Sequence, residues 1–427
     1  MGSALLHRRQ RSARQAAGAV IPTERDGCAA AQRQGAADMG FLKSAAAFLL
    51  AVFILRAALG AMFQAPGAAG PALVEAFALD WAGFGTIVGL FWFPGLLLAY
   101  PLGLVAHRFG DRRGVLLGIA LLMLGAAVSA GAEHVATLVT GRVLMGLGTL
   151  LVILLLTKMV QDRFLGRDLF PAMAVYVLGW PLGIAATQAT LPGFVPEHGW
   201  PFPFHIAFIA GGIAFVAVAL ARGPVAKTPS ATAQSASALT PAEFRRMCLA
   251  GACWATVNGT YMVLVTFAPP MLVARGIGVA EAGFAVSLMS WSNIIAVPAG
   301  ALLARRVGVA VPMTIATTCL AALAALALPY AGAGWAAPLS LLHGLFYALP
   351  ITAFSALAAQ AVAPERRARG LGVYFVWFYA GCTGFPAFAG WLRDVTGSAE
   401  IPCLFGVALL AVTLVLFLWF RRDLARG

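Results

Sequence analysis

The sequence predicts an all-α polytopic membrane protein, with twelve transmembrane helices in two pseudo-symmetric six-helix bundles. Composition, recurring apolar runs and an internal repeat carry this prediction. Of the 427 residues, 61% are hydrophobic and 11% are charged, and the mean hydropathy is +0.87. Soluble domains contain roughly 25% charged residues. This chain therefore has too much apolar surface for a soluble core.

Apolar runs of the length that a bilayer requires recur along the whole chain. A spanning helix needs about 20 apolar residues, and the polar-in alternation of barrel strands is absent. The first six predicted spans cover residues 44–64, 82–105, 114–132, 136–158, 171–192 and 204–222, and the last six cover 247–268, 281–303, 311–330, 336–360, 371–391 and 402–420. These runs indicate a multi-pass helical protein.

The two sets of six spans look like a duplication. Pro101-x-Gly103-x4-Arg108 returns 197 positions later as Pro298-x-Gly300-x4-Arg305. We expect bundles at residues 42–222 and 244–422, joined by a Pro/Ser/Thr/Ala-rich cytoplasmic linker at 223–243. Residues 423–427 form a short cytoplasmic tail. Residues 1–41 are expected to be a disordered cytoplasmic tail, or an extension ahead of a true start at Met39.

The net charge of +13 suggests nucleic-acid binding, but the positions of the charges exclude it. Of the 29 Lys and Arg residues, only Arg275 and Arg393 fall in predicted outer loops. Such a bias is the positive-inside rule. It predicts cytoplasmic N- and C-termini in a cell inner (plasma) membrane, with the lipid bilayer as partner and no nucleic acid.

A short basic loop between the second and third spans carries a more specific signal. Its pattern is Gly-x3-His-Arg-x-Gly-x-Arg-Arg, formed by Gly103, His107, Arg108, Gly110, Arg112 and Arg113. It resembles the helix 2–3 loop of the major facilitator superfamily, which has Asp where this chain has His107. Arg142-x3-Gly146-x-Gly148 resembles the helix-4 motif of that family, and Arg56 with Phe93-Pro94-Gly95 resembles its cyanate-porter branch.

The resemblance covers about residues 42–422. It implies a secondary transporter that works by alternating access, with helices 1, 4, 7 and 10 lining the cavity. In the loop, Asp111 is expected to replace the missing acid at His107. Asp162 is expected to pair with Arg112 or Arg113. Together with Gly103, Arg108 and Gly110, these residues form the predicted gating motif.

Arg56 is the principal candidate for substrate binding. The predicted membrane interior contains arginines and no carboxylate, and a charge at mid-bilayer costs at least about 2.5–3.5 kcal/mol. An anionic substrate would neutralise Arg56; alternatively, Arg56 caps carbonyls at a helix break. Gly60 and Pro66-Gly67 are expected to open the first span, and Pro269-Pro270 the seventh, which fits a transporter site.

Further candidate binding residues lie on the same set of helices. Arg142 has either a structural or a functional role, and His343 either participates in coupling, since histidine titrates near neutral pH, or only packs. The remaining candidates are Gln64 on helix 1, Asn258 and Tyr261 on helix 7, and Tyr347 on helix 10.

No phosphate-binding loop, metal-ligand spacing or catalytic triad is evident in the sequence. We therefore predict a monomeric secondary transporter, not an enzyme and without a cofactor, that moves a small anionic solute. Coupling to protons or other ions stays open. One alternative is an efflux transporter for amphipathic or aromatic compounds, favoured by Trp92, Trp180, Trp291 and Trp377. A second is a non-transporting receptor built on the same scaffold.

Overall fold

The computed structural model describes residues 24–105, 110–164, 168–221, 238–307 and 310–426. The described residues form helices and no strand. We number the helices by span. The first half contains α1 Glu24–Ala76, α2a Trp81–Gly89, α2b Phe93–Val105, α3 Asp111–Ala130, α4 Val135–Arg163, α5 Leu169–Thr190 and α6 Phe202–Leu220. The second half contains α7 Pro241–Ala274, α8 Val279–Val307, α9 Ala310–Ala327, α10a Ala333–Ala348, α10b Ile351–Ala361, α11 Arg367–Thr396 and α12 Ile401–Ala425.

The predicted membrane fold is confirmed. Within the described ranges, eleven helical segments are long and apolar enough to span a bilayer, and the pair α2a and α2b adds a twelfth span with a bend of 42°. The bend follows the local sequence, because Gly89 ends α2a and Pro94 lies in the first turn of α2b. Proline is tolerated in a first turn, where its missing N–H costs no hydrogen bond.

The long helix α1 crosses the boundary between two compact units, residues 1–48 and 49–427. All features of the candidate site lie in the second unit. Within α1, the break from helical geometry is at Gly70, with φ 37° and ψ −119°, between Pro66 and Pro71. The expected opening at Gly60 is wrong. A Cβ at Gly60 would overlap the carbonyl of Trp180, so this glycine allows α1 and α5 to pack closely.

The two halves of the second unit meet along two helix pairs, α2a with α11 and α5 with α8. In the first pair, a Cβ at Gly85 or Gly89 would overlap the backbone of Pro386 or Thr383, and a Cβ at Gly390 would overlap the carbonyl of Trp81. The backbones therefore touch. We call this contact the α2a–α11 seam. The end of the bundle that carries Trp81 is called the Trp81 end.

Polar contacts close the seam at the Trp81 end. The carboxylate of Asp394 on α11 accepts hydrogen bonds from the backbone N–H groups of Trp81 (2.9 Å) and Ala82 (2.8 Å). The guanidinium carbon of Arg393 lies 3.4 Å from the centre of the Trp81 ring. Asp394 thus caps the N-terminus of a helix in the other half, where a negative charge is favourable.

At the opposite end, called the Lys158 end, the ion pairs recorded for the described residues join helices of the same half. Lys158 on α4 binds Asp111 at the start of α3 at 2.6 Å, and Asp162 at 3.8 Å. In the second half, Arg246 binds Asp423 at 3.0 Å and Arg366 binds Glu243 at 2.8 Å. These pairs stabilise each half separately and do not hold the halves together.

Candidate functional site

Arg56 projects from α1 toward α5. Its Nε donates a 3.0 Å hydrogen bond to the carbonyl of Tyr176, and its guanidinium carbon lies 4.4 Å from the centre of the Tyr176 ring and 5.4 Å from that of Trp180. Among the described residues, neither terminal amine of Arg56 has a hydrogen-bond partner, and neither is fully buried. Both amines are therefore free to receive a ligand.

Aromatic rings continue from Arg56 across the interior. Trp180 lies 5.5 Å from Trp92 and 5.6 Å from Phe63, measured between ring centres. Trp92 in turn lies 5.4 Å from Phe378 and 6.3 Å from Tyr379 on α11. These rings are called the aromatic wall; it consists of Phe63, Trp92, Tyr176, Trp180, Phe378 and Tyr379. The wall connects the arginine in the first half to a helix of the second half.

The indole Nε1 of Trp92 is buried and has no hydrogen-bond partner. Of the four tryptophans considered in the sequence, Trp92 and Trp180 belong to the wall. Trp291 and Trp377 are 38% and 43% exposed, so they lie on the outside of the bundle. The wall therefore contains an indole donor, and Arg56 lies beside it.

Gln64 lies two turns beyond Arg56 on α1 and is buried. Its side-chain Nε2 donates to the Oε1 of Gln188 on α5 and, at 3.4 Å, to the carbonyl of Val265 on α7. The Nε2 of Gln188 is buried without a partner. Gln64 therefore links three helices and both halves, which leaves it little freedom to bind a ligand.

Arg142 on α4 is completely buried, and its guanidinium is hydrogen-bonded to backbone carbonyls. Its guanidinium donates to the carbonyls of Met62 (3.0 Å), Ile87 (3.0 Å) and Val88 (3.3 Å). Ile87 and Val88 are at the end of α2a, where helix carbonyls lack partners. This arrangement favours the structural interpretation of Arg142 over substrate contact.

A second group of candidate residues forms a stack in the second half. The rings of Tyr261 and Tyr347, and of Tyr347 and His343, each lie 5.7 Å apart and nearly parallel. Tyr261 shares a 2.6 Å hydrogen bond with Ser290, and Tyr347 donates to the carbonyl of Val257 at 3.1 Å. The structure thus brings three predicted residues together.

His343, at the end of this stack, and the nearby Asn258 both have backbone carbonyls as partners. The His343 Nδ1 contacts the carbonyl of Ala321 at 2.9 Å, and its Nε2 is buried without a partner. Asn258 donates to the carbonyl of Trp254, one turn earlier on α7, at 2.8 Å. In the described part of the chain, no recorded contact joins Arg56 to this stack. The predicted site residues therefore fall into separate groups.

The predicted gating motif is described in part. His107 and Arg108 lie outside the described residues, and Gly103 is in the last turn of α2b. Gly110 has a φ of 71°, which suits glycine, and precedes Asp111 in the first turn of α3. Asp111 pairs with Lys158, a residue that the sequence interpretation did not assign to it.

The expected pairing of Asp162 with Arg112 or Arg113 is wrong. Asp162 lies one turn beyond Lys158 on α4 and contacts it at 3.8 Å. Arg112 donates instead to the carbonyl of Ala219 at the end of α6. Lys158 and Asp162 are four residues apart on one helix, so their side chains are neighbours on its surface. Arg112 instead binds a carbonyl at a helix end, which has no helical partner.

A cavity between α1, α5 and α6 is not lined by Arg56. It has a volume of about 350 Å³ and an almost entirely apolar lining contributed by α1, α5 and α6, including Phe53, Ala57, Gly183 and Ile213. Without a charged lining residue it offers nothing to an anion. Within the described ranges no group of three His, Cys, Asp or Glu side chains could hold a metal ion.

A model of the Major Facilitator Superfamily matches residues 49–257 and 249–426. Among curated proteins, the chain is 27% identical over 383 residues to the 3-(3-hydroxy-phenyl)propionate transporter of Escherichia coli (strain K12), covering 85% of this chain and 91% of that protein. It is also 31% identical over 121 residues to the MFS-type transporter pydD of Acremonium sp, covering 27% of this chain and 20% of that protein.

Solved structures show the same fold at low sequence identity. A bacterial homologue of the human lysosomal transporter Spinster, in an inward-facing and occupied conformation, has a TM-score of 0.70 at 16% identity, covering 88% of this chain and 96% of that chain. The nucleoside transporter NupG also has a TM-score of 0.70, at 14% identity, covering 87% of this chain and 99% of that chain.

Proposed function

The chain belongs to the major facilitator superfamily, and the relatives described above are membrane transporters. We propose that it is a secondary transporter of small aromatic carboxylates. The observation that carries this proposal is the pair of free terminal amines of Arg56 beside the aromatic wall. The sequence leads us to expect a small anionic substrate, and the proposal specifies an aromatic carboxylate. The proposed mechanism is still alternating access between the two halves.

The chemistry of the two surfaces is complementary to such a ligand. A guanidinium has a planar pair of N–H groups that matches the two oxygens of a carboxylate. Of the rings in the aromatic wall, Trp180 is partly exposed and offers edge and face contacts to an aryl group, whereas Phe63 and Trp92 are buried. A bound anion also compensates the charge of Arg56, which no carboxylate of residues 49–426 neutralises, because these acids lie in loops or near helix ends.

The Escherichia coli relative transports an aromatic acid according to its name. At 27% identity this supports a substrate class for the present chain and not a particular compound. A carboxylic acid also offers a route for coupling without an interior carboxylate, since it can carry its own proton. We expect the protein to act as a monomer in the inner (plasma) membrane.

The test compares Arg56→Lys and Arg56→Gln with the native protein in proteoliposomes supplied with labelled 3-phenylpropionate. Lysine keeps the charge but loses the planar pair of donors, so the apparent KM should rise by about tenfold, the equivalent of about 1.4 kcal/mol. Glutamine should abolish saturable uptake. Arg422→Gln, at an exposed position near the end of α12, is the control and should leave uptake unchanged.

Normal uptake by Arg56→Gln would refute the proposal. The aromatic wall alone also fits the second candidate, an exporter of neutral amphipathic compounds. The two are separated by competition with 3-phenylpropionamide, which has the same aryl chain and no charge. A carboxylate transporter should ignore the amide, whereas an exporter that binds only through the wall should accept both compounds.

The proposed orientation places the Trp81 end outside the cell. A cysteine at Glu197, an exposed residue of the loop between α5 and α6, should react with an impermeant maleimide added to intact cells. A cysteine at the exposed Arg113 should react only after permeabilisation. Glu197 is a better site than Gly199, whose φ of 79° suits only glycine. The reverse labelling pattern would overturn the orientation.

A further inference from the structure

We propose that Thr157 on α4 and Tyr176 on α5 form a positioning pair that aims the terminal amines of Arg56 at the ligand. The proposal rests on the proposed role of Arg56 and adds two residues that determine affinity for the carboxylate. The observation behind it is a chain of contacts across three helices, from the Thr157 hydroxyl through the Tyr176 side chain to the guanidinium.

The first of these contacts joins the hydroxyl groups of Thr157 and Tyr176. The Thr157 hydroxyl has one proton and lies 2.7 Å from the carbonyl of Ile153, which can only accept. The same oxygen lies 2.8 Å from the Tyr176 hydroxyl. Thr157 donates to the Tyr176 hydroxyl oxygen and also lies within hydrogen-bond distance of the Ile153 carbonyl. The phenol is therefore anchored to the backbone geometry of α4.

Tyr176 in turn holds Arg56 by two different groups. Its ring packs against the guanidinium at 4.4 Å, and its carbonyl accepts the Nε–H at 3.0 Å. The Nε contact fixes the position of the guanidinium along α1. The ring limits rotation of the guanidinium plane. The two terminal amines remain as a pair in a defined plane, which is the geometry that two-point binding of a carboxylate requires.

Loss of the hydrogen bond between Thr157 and Tyr176 should therefore affect ligand binding more than the conformational change of transport. Without the Thr157 hydroxyl, the phenol ring can tilt and the guanidinium plane is no longer fixed, although the charge remains. The ligand must then order the arginine on binding, and this lowers affinity. The conformational exchange between the halves depends on other contacts, so the maximal transport rate should change little.

The experiment measures labelled 3-phenylpropionate uptake in proteoliposomes for Thr157→Val, Tyr176→Phe and the double variant. Valine has the shape of threonine without the hydroxyl. Each single variant should raise the apparent KM by about five- to tenfold, the effect of one lost hydrogen bond, with the maximal rate within about twofold of native. The double variant should be no worse than either single variant, because both remove the same bond.

Two controls separate positioning from a general effect on α4. Thr149→Val removes a buried hydroxyl of the same helix that bonds only the carbonyl of Met145, at 2.9 Å, and should leave the KM unchanged. Thr157→Ser keeps the hydroxyl and should behave as native. The preference for 3-phenylpropionate over 3-phenylpropionamide should also fall in Thr157→Val, which a loss of packing alone would not cause.

The outcomes distinguish this proposal from the one on which it rests. A native KM in Thr157→Val, together with lost uptake in Arg56→Gln, would overturn the positioning pair and leave Arg56 as the carboxylate site. A fall in maximal rate and thermal stability at unchanged KM would also overturn it. Normal uptake by Arg56→Gln would end both proposals.

Discussion

At the scale of single residues, side chains of neighbouring helices donate hydrogen bonds to backbone carbonyls that prolines leave without a helical partner. Proline has no N–H, so the carbonyl four residues earlier loses its helical partner. Pro66 frees the carbonyl of Met62, which accepts from Arg142 at 3.0 Å. Pro269 frees that of Val265, which lies 3.4 Å from the Gln64 amide. Within a membrane such groups have no water to bind, so these side chains have a structural task.

Arg142→Leu should destabilise the protein strongly. It would leave the carbonyls of Met62, Ile87 and Val88 unpaired, at about 1–3 kcal/mol for each buried group. Thermal unfolding in detergent should show a large fall in midpoint temperature, and Arg142→Lys a smaller one, because an ammonium cannot reach three carbonyls in one plane. Arg422→Leu, at an exposed position, should unfold as the native protein does. Normal stability with lost transport would instead assign Arg142 to the substrate path.

At the scale of elements, glycines determine which helices approach most closely. The α2a–α11 seam depends on Gly85, Gly89 and Gly390, where a Cβ would meet the backbone of the facing helix. Gly146 of the α4 motif packs in the same way against the carbonyl of Phe91, and Gly148 against that of Gly118. The family motif on α4 is thus a packing device, because Arg142 and both glycines contact the backbones of neighbouring helices.

Gly390→Ala should separate α2a from α11. The added methyl would overlap the carbonyl of Trp81, and overpacking of this kind costs about 1–3 kcal/mol. We expect lower thermal stability in detergent. Gly384→Ala is the matched control on the same helix, since no atom lies within 4 Å of a Cβ there. Equal melting temperatures for the two variants would show that the seam is less tight than described.

At the scale of the whole second unit, the halves are closed against each other at the Trp81 end. Asp394 and Arg393 of α11 hold the start of α2a, and Trp81 contacts the ring of Phe267 on α7 at 6.3 Å. The ion pairs recorded at the Lys158 end stay within one half. The proposed alternating access therefore requires these contacts at the Trp81 end to break.

Asp394→Asn should open the Trp81 end more often. The amide keeps the shape but loses the charge that favours the α2a N-terminus. Phe267 is fully buried behind Trp81. In a variant without native cysteines, Phe267→Cys should react several-fold faster with an impermeant maleimide when Asp394→Asn is present. The control is Asp80→Asn, which keeps the cap acceptor for Gly83 but removes a negative charge within the first half itself, at the same end of α2a. Acceleration by both variants would assign the effect to α2a and not to the contact between halves.

The membrane fold was predictable because its signals are local: long apolar runs, an arginine-rich loop and repeated glycine spacings. Arg56 could be singled out for the same reason, since a charge inside an apolar span is conspicuous. The residues that contact Arg56 could not be predicted from the sequence. Tyr176 and Thr157 lie 120 and 101 positions away in the chain, and an aromatic or hydroxyl residue in an apolar run has no pattern that reveals its neighbour.

The incorrect expectations have similar causes. Asp162 was assigned across a loop to Arg112 or Arg113, although Lys158 is only one helical turn away. Gly60 was expected to open α1, because a glycine that weakens a helix and a glycine that admits a neighbouring helix are identical in a sequence. Only the carbonyl of Trp180 beside Gly60 distinguishes the two.

The bend divides the second span into two rigid helices, α2a and α2b, with a hinge between Gly89 and Phe93. Helix α2a packs against α11. Trp92 lies in the hinge itself and packs against Trp180 and Phe378 on helices of opposite halves. If α2a moves away from α11 in the proposed transport cycle, the indole of Trp92 has to turn with it. The aromatic wall proposed to hold the aryl group would then change shape as the transporter changes conformation.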